Sequence, residues 1–205
     1  MAELVTTGHG DVERIADQAG LTLRYTNRSK DRTSAVDALT RRIDSVEPVL
    51  ARNGVTVRSR SLAVNDSWNG RHRTGASASQ AYVLLVTDVT VLNDLIGDLV
   101  TTEPSELQGP DWDLADASDA RQEAQREAVA DARAIAQGYA DALAGRLGPL
   151  LRLDDTSPGR IRPLAFSAAA RSAGAGRAPD ITELALEPQP VTVSAMCSIT
   201  WDLLA

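Results

Sequence analysis

Residues 117–147 read ASDARQEAQREAVADARAIAQGYADALAGRL, the longest stretch of one consistent period in the chain. Small or apolar residues recur along it every three or four positions, which places them on one side of an α-helix: Ala120, Ala124, Ala128, Ala132, Ile135, Tyr139, Leu143 and Leu147. At about 1.5 Å per residue this helix spans roughly 45 Å. Because the stripe is mostly alanine, the helix buries too little surface to be stable alone, and we expect it to pack closely against a sheet.

Strand and helix patterns surround this helix and give the order β-β-α-β-β-α-β-α-β-β. The strands are predicted over residues 3–12, 19–25, 55–64, 80–87, 106–114, 149–153 and 190–204. The shorter helices are predicted over residues 35–50, where Pro48 interrupts the helix, and over residues 90–100. We expect the first two strands to form one hairpin and the next two to form another, whose tip is residues 65–75.

This order predicts an α+β fold: an antiparallel sheet with one long Ala-rich helix and two shorter helices packed on one face. With 205 residues, of which 43% are hydrophobic, the chain can bury a core, and we expect a single domain over residues 1–205. Only seven residues are aromatic, so that core must be mainly aliphatic. Residues 155–187 are rich in Gly, Ala, Ser and Pro without a period, which predicts a flexible excursion.

The charge is unevenly distributed along the chain. Residues 1–80 contain 12 basic and 9 acidic residues, whereas the remainder contains 9 and 19, so the formal net charge is -7. This asymmetry argues against nucleic acid as the main partner and is compatible with head-to-tail self-association. The alternative is that the charges only keep the surface soluble. No apolar run approaches about 18 residues, so no transmembrane helix is predicted.

The residues that carry catalytic or metal chemistry do not form a recognisable pattern. His9 and His72 are 63 positions apart and neither has a neighbouring Cys or a second His at helical spacing, so no metal site is predicted. Cys197 lies in an apolar alternating run, which favours a buried, unreactive thiol. Four aspartates precede the long helix and suit its dipole: Asp111, Asp113, Asp116 and Asp119. We therefore expect no catalytic residue, cofactor or metal.

One loop is a candidate contact for a partner. Residues 68–73 read WNGRHR, and Trp68, Arg71, His72 and Arg73 together could bind an anion or the surface of another protein. The alternative is a solvated hairpin tip. Trp68, Trp112 and Trp201 are also candidates to anchor an interface, with burial in the core as the alternative for the last two.

Three segments together resemble one protein family. They are VTTGHGDVERIADQAGLTL at residues 5–23, DARAIAQGYADALAGRLGPLLRLDD at 131–155 and PQPVTVSAMCSITWDL at 188–203. With Gly8, Gly10 and Asp17 near the start, and Gly145 and Gly148 after the long helix, the ordered set resembles the SIMPL domain, or DUF541, over nearly the whole chain.

The resemblance implies an α+β fold and a tendency to form oligomers. Bacterial members look like periplasmic or outer-membrane-associated immunogenic proteins and stress-defence proteins, and a mammalian member is an adaptor for an interleukin-1-receptor-associated kinase. No catalytic residues are established for the family, so none are carried over. The chain as written departs from the pattern because its N-terminal residues lack a signal peptide, which leads us to expect a cytoplasmic location.

Three functional hypotheses stay open at this point. The first is a non-enzymatic, oligomer-forming scaffold or binding protein linked to stress defence or the cell envelope, with a homo-oligomer or another protein as partner. The second is a small-molecule-binding protein or enzyme with a pocket between the sheet and the long helix. The third is a protein-binding adaptor that uses the excursion as its binding segment.

Overall fold

The computed structural model describes residues 2–156, 161–163 and 186–204. These residues form two compact units. The first unit contains the described residues of 1–16, 114–166 and 189–205, and the second unit contains those of 17–113 and 167–188. The predicted α+β class is confirmed, although the helices lie on two antiparallel sheets and not on a single sheet. The single domain over residues 1–205 stays a prediction.

Eight strands and four helices make up the described residues. The strands are β1 (Ala2–Ile15), β2 (Gln18–Ser29), β3 (Val55–Asn69), β4 (His72–Val86), β5 (Glu106–Asp113), β6 (Arg146–Asp155), β7 (Ile161–Pro163) and β8 (Pro190–Leu204). The helices are α1 (Arg32–Ile43), α2 (Glu47–Leu50), α3 (Leu92–Thr101) and α4 (Ser118–Ala142), with a 3₁₀ turn at Val89–Val91. This order matches the predicted one apart from two short additions, α2 and β7. Most of the predicted excursion at 155–187 lies outside the described residues.

In the first unit, β8 is the central strand of the sheet. It pairs antiparallel with β1 over the whole length of that strand, from Ala2↔Leu203 to Ile15↔Pro190. Both β6 and β7 pair with the other side of β8. The alternation in β8 buries one set of side chains under α4: Val191, Val193, Ala195, Cys197, Ile199 and Trp201. The predicted strand over residues 190–204 is therefore confirmed, and it forms the centre of this sheet.

The buried face of the long helix, which lies on the sheet, consists of alanine alone. Its buried residues recur at every fourth position: Ala120, Ala124, Ala128, Ala132, Ala136 and Ala140. On the strand below, a Cβ added to Gly8 would lie 2.0 Å from the carbonyl oxygen of Ala128, and a Cβ added to Gly10 would lie 2.1 Å from that of Ala124. The helix backbone therefore contacts the strand where the strand has no side chains, and the expected close packing is confirmed.

The second half of the predicted stripe is wrong. Tyr139 is 56% exposed, Ile135 and Leu143 are also exposed, and Leu147 belongs to β6 because α4 ends at Ala142. The buried row continues instead through Ala136 and Ala140. A row of every fourth residue turns slowly around a helix, by about 40° for each step, and so it can follow a twisted sheet.

A chain of buried hydrogen bonds joins the three central elements of the first unit. The indole Nε1 of Trp201 donates to Thr6 Oγ1 at 3.0 Å, and this hydroxyl donates to the carbonyl oxygen of Ala132 at 2.9 Å. Thr6 is buried, so both bonds form away from water. Trp201 is therefore a core residue that ties β8 through β1 to α4, and its role as an interface anchor is excluded.

In the second unit the strand order is β3-β4-β2-β5, with β3 and β5 at the edges. The predicted hairpin of β1 with β2 is wrong, because β2 has β4 on one side and β5 on the other, while β1 pairs with β8. The predicted hairpin of β3 with β4 is confirmed, but the strands run further than expected and leave only Gly70 and Arg71 at the turn.

The helices α1 and α2 are separate because Pro48 lies in the first turn of α2. Asp31 caps α1 by accepting a hydrogen bond from the backbone nitrogen of Ser34 at 2.8 Å. Below α1, the rings of Tyr25 and Tyr82 meet edge to face with their centres 6.1 Å apart, among buried aliphatic side chains. Trp112, on the edge strand β5, is also buried. The core is therefore aliphatic around a few enclosed rings.

The contact between α4 and β1 predicts opposite effects for two glycine substitutions. Gly10→Ala forces backbone atoms apart, and we expect it to lower the free energy of unfolding by about 3 kcal/mol. Gly138→Ala is the matched control because Gly138 lies in α4 with nothing within 4 Å of an added Cβ, and it should raise stability by about 0.5–1 kcal/mol. Urea unfolding followed by circular dichroism measures both. Equal midpoints for Gly10→Ala and the wild type would contradict the close contact.

Candidate functional site

The described residues contain four edge strands longer than the three-residue β7, and three of them are obstructed. On β1, the carboxylate of Asp131 in α4 accepts a hydrogen bond from the backbone nitrogen of His9 at 3.0 Å. The pairing of β6 with β8 shifts register twice around Leu150, and β6 contains Pro149. The strand β5 contains Pro110 and also shifts register against β2. Bulges, prolines and covering side chains all hinder the addition of another strand.

The fourth edge, on β3, is long and regular, and among the described strands only β4 pairs with β3. Nine consecutive residues pair with β4 without interruption, from Ser59↔Val83 to Ser67↔Gly75, and we call residues 59–67 the β3 edge. Irregularities flank it on both sides. The five central residues carry no charge, and all but the half-buried Val64 are exposed: Ser61, Leu62, Ala63, Val64 and Asn65. This is the combination that accepts a further strand through backbone hydrogen bonds.

One end of the β3 edge is anchored by an arginine. Both terminal nitrogens of Arg60 donate to the carboxylate of Glu47 in α2, at 3.0 and 2.9 Å. The guanidinium also lies 5.5 Å from the centre of the Tyr82 ring. Burial, and then the negative charge of Glu47, raises the pKa of Tyr82 to about 12. These contacts hold the charged side chain against the helix layer and away from the open backbone of the strand.

The other end of the β3 edge is anchored by a carboxylate. Asp66 accepts two hydrogen bonds from Arg32 of α1, at 3.0 and 2.9 Å. Its other cationic partner is Arg73, whose Nε lies 3.3 Å from Asp66 Oδ1. One carboxylate therefore faces two guanidinium groups, and this end of the hairpin keeps a surplus of positive charge.

The four residues predicted as a partner contact meet at the hairpin tip. Trp68 is 61% exposed and lies opposite Arg73 in the register of the hairpin, while Arg71 lies in the turn and His72 is the first residue of β4, opposite Asn69. Within the described part of the chain, Arg71 and His72 take part in no ion pair. The tip thus presents an exposed indole beside cationic side chains. Whether it contacts a partner stays a prediction.

A second carboxylate, that of Asp31, lies near the tip and offsets part of its positive charge. The pKa of Asp31 lies below its usual range because its carboxylate accepts hydrogen bonds from Ser34, and nearby Lys30 and Arg73 lower it further. Sequence reasoning found the tip from its unusual composition. It missed the β3 edge, because a stretch such as SLAVN reads as an ordinary strand and only the sheet order reveals that it lies at an edge.

The first unit contains a small cavity of about 110 Å³ between α4, β6 and β8. It is lined by Gln125, Ala128, Val129, Leu153, Asp155, Ala195, Met196 and Cys197. Cys197 is buried, and burial raises the pKa of its thiol, which disfavours the thiolate that nucleophilic chemistry needs. Among the described residues, no group of three or more His, Cys, Asp or Glu side chains is placed to hold a metal ion.

The sequence of the chain matches the model of one protein family over nearly its whole length. The family model SIMPL, described as a protein of unknown function (DUF541), matches residues 4–201. The match begins in β1 and ends in β8, so it includes elements of both units. No curated protein matches the chain. In the described part of the chain, no helix has the length and apolar character needed to cross a membrane.

The environment of Tyr82 predicts a pH dependence. Because the folded pKa of about 12 exceeds the ordinary value of 10.0, the neutral ring stabilises the fold fully below pH 10, and this stabilisation is lost as the pH rises towards 12. Burial also raises the pKa of Tyr25, so Tyr82→Phe should remove one of the two tyrosines that ionise late in a phenolate absorbance titration, and it should flatten the fall of the urea midpoint over this range. A wild-type titration that is complete near 10.0 would contradict the enclosure of Tyr82.

The burial of Cys197 predicts a slow thiol. We expect its reaction with a disulfide reagent to be at least about tenfold slower in the folded protein than in urea, because the unfolded chain exposes the side chain. The control is a Ser45→Cys variant that also carries Cys197→Ser, since residue 45 is exposed and lies outside the β3 edge. If native Cys197 reacted as fast as this surface thiol, the hypothesis of a nucleophilic enzyme would be strengthened.

Proposed function

The chain belongs to the SIMPL (DUF541) family, whose function is unknown, and we propose that it is a non-catalytic protein that assembles with copies of itself. The β3 edge is the surface that joins two copies. The stress-defence or cell-envelope role implied by the family resemblance is the setting that we propose for this assembly. The single observation that carries the proposal is the uninterrupted edge from Ser59 to Ser67 with its uncharged centre.

The chemistry of a strand edge favours addition of a strand. Each residue of an edge strand has backbone groups that no neighbouring strand satisfies, and a second strand pairs with them without requiring a particular side chain. The β3 edge suits a second copy of itself because its central residues, 61–65, are uncharged, and two identical segments meet in an antiparallel pair without repulsion. Contacts of this kind are two-fold symmetric, so the expected product is a dimer.

The absence of catalysis is part of the proposal and rests on the environment of the titratable groups. Acid–base or nucleophilic catalysis needs groups of shifted pKa that converge on a pocket. The cavity of the first unit has a buried thiol with a raised pKa, and no His lines it. The largest pKa shift that the described residues show belongs to Tyr82, which packs against an ion pair below the β3 edge.

A second candidate function, binding of a small apolar molecule, is favoured by the same cavity. Its lining is mostly apolar, and about 110 Å³ suits a fragment the size of a few carbon atoms. This volume is below the range of about 300–1,000 Å³ that is usual for ligand pockets, so assembly is the better-supported proposal. The adaptor hypothesis depends on the excursion, most of which lies outside the described residues.

Lysines placed on the β3 edge should block the assembly. In the double variant Leu62→Lys, Ala63→Lys, adjacent residues put one cation on each face of the strand, and we expect association to weaken by at least about tenfold because a paired strand would desolvate these charges. Analytical ultracentrifugation over a range of protein concentrations measures this effect.

Leu151→Lys is the control for the Leu62→Lys half of the edge variant. Leu151 lies on β6 in the first unit and is 51% exposed, compared with 59% for Leu62, so the same substitution adds charge at a similarly exposed site outside the β3 edge. This control should associate like the wild type. A wild-type protein that remains monomeric at about 100 μM would overturn the proposal, since the affinity would then be below that of most specific assemblies.

A further inference from the structure

The second unit is electrically polarised across its sheet. The hairpin of β3 and β4, residues 55–86, contains four arginines and one aspartate. Residues 74–113, in contrast, contain seven acidic residues and no Lys or Arg. Because the strand order is β3-β4-β2-β5, the strand β3 of the basic hairpin and the acidic strand β5 form the two opposite edges of one sheet.

The positive end of this polarity is the hairpin tip. Arg71 and His72 are free of ion pairs among the described residues, and Arg73 shares the single carboxylate of Asp66 with Arg32. The exposed Trp68 stands beside them and offers a rigid apolar surface. An exposed aromatic ring with surrounding cations is the composition of a protein-contacting surface, and its field selects an acidic partner.

The negative end is the open side of β5. Glu106, Asp111 and Asp113 lie in register with Arg24, Gly20 and Gln18 of β2. The Nε atom of Arg24 lies 3.1 Å from Oε2 of Glu106 and forms an ion pair with it. Asp111 pairs with Gly20, is exposed, and has no cationic partner among the described residues. This strand therefore keeps a negative surplus that its own neighbours do not neutralise.

We propose that the hairpin tip of one copy docks on the acidic β5 side of another copy. Two tips repel each other, so a two-fold contact between them is disfavoured, and the complementary surface on the same chain is β5. Three strand spacings, about 14 Å, separate β3 from β5 within one sheet. At this distance the hairpin tip of a copy does not contact the β5 strand of the same copy. The contact is head to tail and rests on the proposed assembly: it joins dimers made through the β3 edge into rings or chains.

A charge exchange tests this contact. Arg71→Glu alone and Asp111→Arg alone should each weaken the association between dimers by about threefold to tenfold and leave the dimers intact. An equimolar mixture of the two variants should recover association, because the glutamate introduced at the tip of one variant then faces the arginine introduced on β5 of the other. The control Arg41→Glu changes the charge of an exposed residue on α1 and should behave like the wild type. Sedimentation velocity measures every sample, and circular dichroism verifies folding.

The outcomes separate this inference from the proposed function. Wild-type assemblies that dissociate to dimers as salt rises from about 50 to 500 mM, with recovery in the mixture, support the tip contact. If assemblies larger than a dimer formed equally well at low and high salt and in Arg71→Glu, the proposed tip contact would be overturned, whereas the proposed pairing of β3 edges would not be affected. A wild type that forms dimers only would also overturn it, whereas a monomeric wild type would overturn both proposals.

Discussion

The first unit depends on a contact between the backbones of α4 and β1. The helix lies so close to the strand that positions 8 and 10 have no room for a Cβ atom and are occupied by glycine. A helix at this distance cannot carry large residues either, which explains the repeat of alanine at every fourth position. Close packing compensates for the small area of each alanine, because many atoms reach contact distance along the whole helix. The hydrogen bonds from Trp201 to Thr6 and from Thr6 to Ala132 then fix the helix along the strand.

This constraint determines how much of the fold is predictable from sequence. The period of the Ala-rich helix and the alternation of residues 190–204 are local signals, and both elements form where they are predicted. Strand partners are not local: β1 and β2 are adjacent in sequence, yet β1 pairs with β8 from the other end of the chain. The predicted stripe is wrong after Ala132 for a related reason. Residues 135, 139 and 143 are larger and more hydrophobic than Ala136 and Ala140, so the sequence pattern favours them as the buried positions. Only alanine fits against the strand, however, and Ala136 and Ala140 are the residues that are buried.

The candidate site divides in the same way. The tip residues Trp68, Arg71, His72 and Arg73 stand out by composition in a chain with few aromatic residues, and the hairpin brings them together. The β3 edge has no such signal, because openness is a property of the sheet order and not of the segment. Its anchors are equally hidden in sequence: Glu47 and Arg60 are 13 residues apart, and Asp66 joins two arginines from different elements.

The β3 edge differs from the edges formed by β1, β5 and β6, which are protected against pairing with another strand. A sheet protein that avoids uncontrolled pairing places prolines, bulges or charges on its edges, and β1, β5 and β6 each have such a feature. On β3 the two charged residues next to the uncharged centre, Arg60 and Asp66, are instead bound by partners on the helix side. The ion pairs thereby hold these two charged side chains towards the helix side and partly offset their charge. An edge that only needed protection would leave those charges free in solvent, so their engagement is consistent with an edge that is kept for pairing.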